Sequence, residues 1–120
     1  MQKVLIIIHA APYGSERCLS GLRVAAALAA HATEEVQLRI FLMSDASFVG
    51  LPNQQDGSGN GSGLQAMVEQ LVDCGATIRL CRTCALARGV GDLPLIKGLE
   101  IGTLSELANW TLDADKVLTF

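Results

Sequence analysis

The segment Val4-Leu5-Ile6-Ile7-Ile8 constrains this chain more than any other: five consecutive apolar residues, four of them β-branched, ended by His9. β-branched side chains favour extended backbone, and a run without polar alternation fits a strand buried on both faces of a parallel sheet. A strand of that kind needs helices above and below it, and the chain has to supply them.

The remaining pattern does so. Ala11-Pro12-Tyr13-Gly14 breaks the strand, Ser15 is a good N-cap, and Glu16 suits the positive end of a helix running to about residue 31. Leu19, Leu22, Ala26 and Ala29 give that helix an apolar stripe. Residues 36–43 read as a second strand, alternating at first and then fully apolar, with Ser44-Asp45 ending it. Residues 50–63 are too polar and glycine-rich for any element, and a loop of that length is either a functional lid or a flexible connector. Ser62 and Gln65 make an S-x-x-Q capping box for a helix that buries Leu64, Met67, Val68, Leu71 and Val72 and ends at Gly75. Residues 76–80 form a third strand, and residues 81–88 a short helix stopped by Gly89. Residues 90–102 are mostly loop, with a short extended piece at 99–101. Thr103 and Glu106 make a second capping box for a helix to about residue 112, and residues 116–120 form a last strand. This alternation predicts an α/β fold: one domain over 1–120, with an open, mostly parallel sheet of about five strands flanked by helices on both faces. Ligands and reactive groups of such sheets sit at the carboxyl ends of strands near a switch point, here residues 9–15, 44–62 and 81–84.

Composition narrows the function. The net charge is −3, aromatics are 4%, and the densest basic cluster is Arg79, Arg82 and Arg88. Nucleic-acid binding relies on a basic stripe or stacking aromatics, so direct nucleic-acid contact is not expected. The five-residue apolar run near Met1 is too short for a membrane span or a secretory segment. A cytoplasmic location without membrane attachment is therefore expected, with Cys18, Cys74, Cys81 and Cys84 reduced. Gly57 to Gly63 lacks the lysine and spacing of a phosphate loop, no dinucleotide fingerprint or nucleophile elbow occurs, and no cofactor is expected.

Cys81-Arg82-Thr83-Cys84 falls where a strand gives way to a helix. Free N–H groups there stabilise negative sulfur, and neighbouring arginines add to it. Four readings stand side by side. Zinc needs four ligands, whereas His9, His31, Cys18 and Cys74 are scattered and both of those cysteines read as core, so no metal is expected. A dithiol couple is sterically reasonable, although a thioredoxin-type pair follows an early strand and this one comes late. Two small buried hydrophobes are the plainest reading. The fourth is single-cysteine nucleophilic or sulfur-carrying chemistry. Elsewhere, Tyr13-Gly14-Ser15 is either an anion cradle or an ordinary cap. His9 is a proton shuttle or a satisfied polar position, and Asp45 an acid–base group or an Asx-turn.

Several stretches are familiar: Ala10-Ala11-Pro12-Tyr13-Gly14-Ser15-Glu16, residues 38–46, residues 80–89, Leu93-Pro94-Leu95-Ile96, Glu100-Ile101-Gly102-Thr103-Leu104 and residues 110–120. Together they resemble the DsrE/DsrF-like family over nearly the whole chain, the glycine-serine loop excepted. The resemblance implies a three-layer α/β/α domain, assembly into homohexamers built from trimers, and a link to sulfur metabolism. Relay members of the family carry sulfur as a persulfide on a cysteine that precedes a Leu-x-Arg-Gly ending. Cys81 holds the matching place here, with Leu86, Arg88 and Gly89 behind it. The implied function is a sulfur relay or sulfurtransferase subunit using Cys81, with Arg82 and Arg88 beside it and protein donors and acceptors of sulfur as partners. Cys84 is a departure, since the relay proteins use one cysteine at this position. The alternatives are a non-enzymatic oligomeric module binding a small ligand or partner, and a dithiol redox protein using Cys81 and Cys84.

Overall fold

The structure, a computed structural model, describes residues 1–31, 35–58 and 63–120. Strands β1 (Gln2–Ile8), β2 (Val36–Leu42), β3 (Thr77–Cys81), β4 (Glu100–Gly102) and β5 (Lys116–Thr119) form one sheet in the order β4-β3-β2-β1-β5. Every pairing in it is parallel. Helices α1 (Arg17–His31), α2 (Leu64–Asp73), α3 (Arg82–Ala87) and α4 (Leu104–Asp113) alternate with the strands. From β1 to β4 the chain steps in one direction across the sheet, so right-handed crossovers place α1, α2 and α3 on one face. The chain then doubles back through α4, on the opposite face, to lay β5 beside β1.

The two faces differ in depth. On the first, Val4, Ile6, Ile8, Leu38, Ile40, Leu42, Ile78 and Leu80 meet α1 and α2 in the main core. On the second, Leu5, Phe41 and Cys81 are the buried residues, covered by Leu107, Trp110 and Ala114. The α4 helix itself has no fully buried residue. Alternation along each strand produces this division: Leu5, Phe41 and Cys81 occupy the opposite parity from the main-core residues.

Local structure follows local chemistry. Gly75 and Gly89 close α2 and α3 in left-handed conformation, at φ 95° and 71°. In each case the next residue's N–H reaches back to a carbonyl of the last turn, Ala76 to Leu71 and Val90 to Ala85. The capping box of α4 forms as expected, Thr103 Oγ1 accepting from Glu106 N–H while Glu106 Oε1 accepts from Thr103 N–H. Ser62 lies outside the described residues, and the capping box drawn from it with it. Gln65 accepts a hydrogen bond from the Asn53 N–H.

Three expectations are corrected. The buried stripe of α1 is Cys18, Gly21, Leu22, Ala25 and Ala29, so Leu19 and Ala26 face outward. Gly21 sets that rotation: a Cβ there would stand 3.0 Å from Ile8 Cδ1 and 3.1 Å from the Phe120 ring, so the helix seats its barest point on the sheet. Cys74 is exposed, not core, because α2 ends at Asp73 and the chain turns away at Gly75. Beyond β2 the chain forms a 3-10 helix, Ser44–Gly50, with Ala46, Ser47, Val49 and Gly50 buried. Its apolar content is too short a stretch to show a helical period in the sequence.

Candidate functional site

Cys81 is the last residue of β3 and the N-cap of α3. Strand parity aims its side chain at the second face, where it joins Leu5 and Phe41 in the cluster that Ile7, Met43, Cys84, Leu107 and Trp110 pack against, and the residue is 1% exposed. Cys84 follows one helical turn later, is partly buried, and packs in the same cluster. Both thiols are free.

The sulfur of Cys81 lies 3.4 Å from Thr83 Oγ1. Burial is the largest single influence on this thiol and opposes ionisation. Hydrogen bonding from the Thr83 hydroxyl, from the Cys84 N–H and thiol, and from the Thr83 N–H together outweighs it, so the pKa lies below the ordinary cysteine value. No helix N–H makes a close, aligned capping bond to the sulfur, and the main-chain contributions are looser than the Thr83 contact. Cys18 provides the contrast within one molecule: burial without donors pushes its thiol up to about 11.

The arginines have other duties. Arg79, two residues before Cys81 on the same strand face, lies with its guanidinium 6.0 Å from the Trp110 ring centroid and 3.7 Å from Glu100. Arg88 donates to Asp45 Oδ1 at 2.8 Å, to the Cys84 carbonyl at 3.2 Å and to Ser44 Oγ at 3.3 Å. It thereby ties α3 to the start of the 3-10 helix, and Asp45 is held as its ion-pair partner. Arg82 is exposed on the first turn of α3. Thr83, whose hydroxyl lies 3.4 Å from the Cys81 sulfur, is not among the residues the sequence singles out. Its signal was its place two residues beyond a helix-capping cysteine, within reach of that side chain.

Tyr13, Gly14 and Ser15 occupy the loop between β1 and α1. Tyr13 is 61% exposed, Gly14 takes φ 97°, and Ser15 Oγ accepts from the Arg17 N–H at 3.4 Å. Their strand is separated from β3 by β2, so the two loops start roughly 10 Å apart. The reversal in strand order falls between β1 and β5, and there Phe120, just beyond β5, is tied to the residue after β1: His9 N–H donates to the Phe120 carbonyl at 2.9 Å. The candidate cysteine therefore stands at a carboxyl strand end, two strands away from the switch point.

A parallel α/β sheet with a hydrogen-bonded thiol at a strand-to-helix junction marks a small cysteine-bearing α/β protein. The chain belongs to the DsrE/DsrF-like family, whose model matches residues 2–120. Protein YchN of Escherichia coli K12 is 51% identical over 120 residues, covering the whole of both chains. An uncharacterised protein of Methanopyrus kandleri is 33% identical over 118 residues, covering 98% of this chain and 93% of its own. The crystal structure of the E. coli YchN protein superposes with a TM-score of 0.92 over the full length of both. A protein of unknown function from Methanobacterium thermoautotrophicum shares the fold over the full length of both chains, with a TM-score of 0.78 at 16% identity.

Proposed function

We propose that this chain is a sulfur carrier that holds sulfur as a persulfide on Cys81. The observation that carries this reading is the thiol itself: buried at a strand-to-helix junction, yet supplied with enough hydrogen-bond donors to hold its pKa below the ordinary cysteine value. Loading is nucleophilic displacement. A thiolate of the site attacks the outer sulfur of a donor persulfide, the donor's S–S bond breaks, the donor leaves as a thiolate, and the sulfur comes to rest on Cys81. Release repeats the step with an acceptor thiolate attacking the outer sulfur on Cys81. No net oxidation occurs in either half, and burial shields the loaded persulfide from stray thiols. The family resemblance supports the same chemistry and assembly as a homohexamer of two trimers, and the short apolar run near Met1 supports operation in the cytoplasm. All four β5 residues are exposed, Val117 at 41% and Leu118 at 38%, which leaves apolar strand surface for such an assembly to cover.

The test uses a persulfide donor followed by tryptic mapping. Arg79, Arg82 and Arg88 place Cys81 and Cys84 on separate peptides, residues 80–82 and 83–88. The expected result is one extra sulfur resting on the 80–82 peptide, passed on when an acceptor thiol is added. A protein that never holds sulfur on that peptide is not a carrier of this kind. Light scattering of the purified chain checks the hexamer.

A second reading, a dithiol redox couple, is favoured by the Cys84 thiol bearing on the Cys81 sulfur. It requires a reversible Cys81–Cys84 disulfide under mild oxidation, and a protein in which that bond never forms excludes it.

A further inference from the structure

We infer that Cys84 is the entry thiol of the site, taking sulfur from the donor and handing it to Cys81. This rests on the sulfur-carrying reading above and assigns the second cysteine a role in it. The buried partner creates the need. At 1% exposure Cys81 offers a donor persulfide almost no surface, and it belongs to the cluster that Leu107 and Trp110 pack against. Cys84 is partly exposed, sits in the same cluster, and occupies the third position of the helix that Cys81 caps. N-cap and N3 side chains lie against each other, as the reciprocal bonds of a capping box require. One atom of sulfur added to Cys84 extends its reach by about 2.05 Å, which carries the transferable atom toward its neighbour.

The arrangement also explains how the second step is driven. The Arg88 bond to the Cys84 carbonyl and its ion pair with Asp45 hold the first turn of α3 in place, so the two sulfurs keep a fixed relation. In the first displacement the Cys84 thiolate attacks the outer sulfur of the donor R–S–SH. A Cys84 S–S bond forms, and the donor departs as RS⁻ with the electron pair of the broken bond, taking a proton from solvent. In the second, the Cys81 thiolate attacks the outer sulfur now on Cys84. Cys84 leaves as its thiolate with the electron pair and takes up the proton that Cys81 gave up. The sulfane sulfur keeps its oxidation state throughout, and no oxidant or reductant is consumed.

The experiment compares wild type, Cys81→Ser, Cys84→Ser and Cys84→Ala, each first checked for a native thermal transition. Each is mixed with glutathione persulfide, quenched at intervals, alkylated and mapped on the 80–82 and 83–88 peptides. The inference expects wild-type sulfur to pass through peptide 83–88 and rest on 80–82. It expects Cys81→Ser to hold sulfur on Cys84, and both Cys84 variants to load Cys81 at least about tenfold more slowly. If the Cys84 variants load at the wild-type rate while Cys81→Ser takes no sulfur, the donor reaches Cys81 directly and the inference falls, with the carrier reading intact. If wild type takes up no sulfur on either peptide, the carrier reading fails and this inference fails with it.

Discussion

At the scale of single residues, the chemistry depends on which groups face the Cys81 sulfur. The sequence placed Cys81 correctly at a strand-to-helix junction, because the change from an apolar strand to Arg82-Thr83 and then Gly89 is a local signal. It could not give side-chain direction, so the nearby arginines stood in for donors that Thr83 and Cys84 actually supply. Arg79 shares Cys81's face of the sheet but is drawn to Trp110 and Glu100, and Arg88 is drawn to Asp45, a residue 43 positions away. Replacing Thr83 by Val removes the 3.4 Å contact at similar volume. A donor to the thiolate lowers the pKa, so its loss raises it, and the reactive fraction at neutral pH falls. The rate of Cys81 alkylation against pH is expected to move to higher pH in Thr83→Val, with a several-fold slower reaction at neutrality, while Thr83→Ser keeps the wild-type profile. An unchanged profile in Thr83→Val would place the cause elsewhere. In the same experiment Cys18, pushed up to about 11 by burial, should stay unmodified until the protein unfolds.

At the scale of elements, α4 is the helix that covers the cluster holding Cys81, and it does so with little core of its own. Its seat depends on the capping box, on Trp110 meeting Phe41 edge-on at 6.0 Å, and on Asp113 bonding Lys3 and Arg39 at 2.9 and 3.0 Å. Thr103→Ala removes the cap at a cost of about 1 kcal/mol. The expected outcome is a lower denaturation midpoint together with faster Cys81 alkylation, whereas a midpoint shift without faster alkylation would mean that α4 does not limit access. The opposite face is governed by close packing. A Cβ on Gly50 would stand 2.7 Å from Leu80 Cδ2, a fully buried side chain, so Gly50→Ala is expected to cost about 1–3 kcal/mol in urea denaturation. The capping box of α4 and the glycine stops of α2 and α3 were legible because each is written in a few adjacent residues. The 3-10 helix at Ser44–Gly50 was not, and neither was the one-residue rotation of α1. The first is too short for periodicity, and the second is set by Ile8 and Phe120, which are distant in sequence from Gly21.

At the scale of the whole molecule, the alternation of strands and helices was enough to predict a parallel sheet with helices on two sides. Strand order was not legible, because nothing local says that the chain reverses after β4 and returns past β1. That reversal creates the thin second face and leaves charged side chains from three strands, Lys3, Arg39 and Arg79, to hold α4 in place. Stability of this face should therefore depend on acid. Hydrogen bonding from Lys3, then from Arg39, holds the Asp113 carboxyl below the usual carboxylate range. A carboxyl with a depressed folded pKa binds fewer protons folded than unfolded. Its contribution is complete above the unfolded value of about 3.9 and is lost as the pH falls through the lower folded value. Trp110 is the one tryptophan of the chain, with the Arg39 guanidinium 5.4 Å from its ring centroid, so its fluorescence reports directly on whether α4 is seated. Acid titration of the wild type should show a Trp110 transition below about pH 4, weakened further by added salt because the pairs are exposed. Asp113→Asn keeps the shape but not the charge, so it should start from a more loosely seated α4 at neutral pH and lose that acid transition. If the variant retains the full wild-type transition, the second face is held by Trp110 and Leu107 packing alone and the ion pairs are incidental.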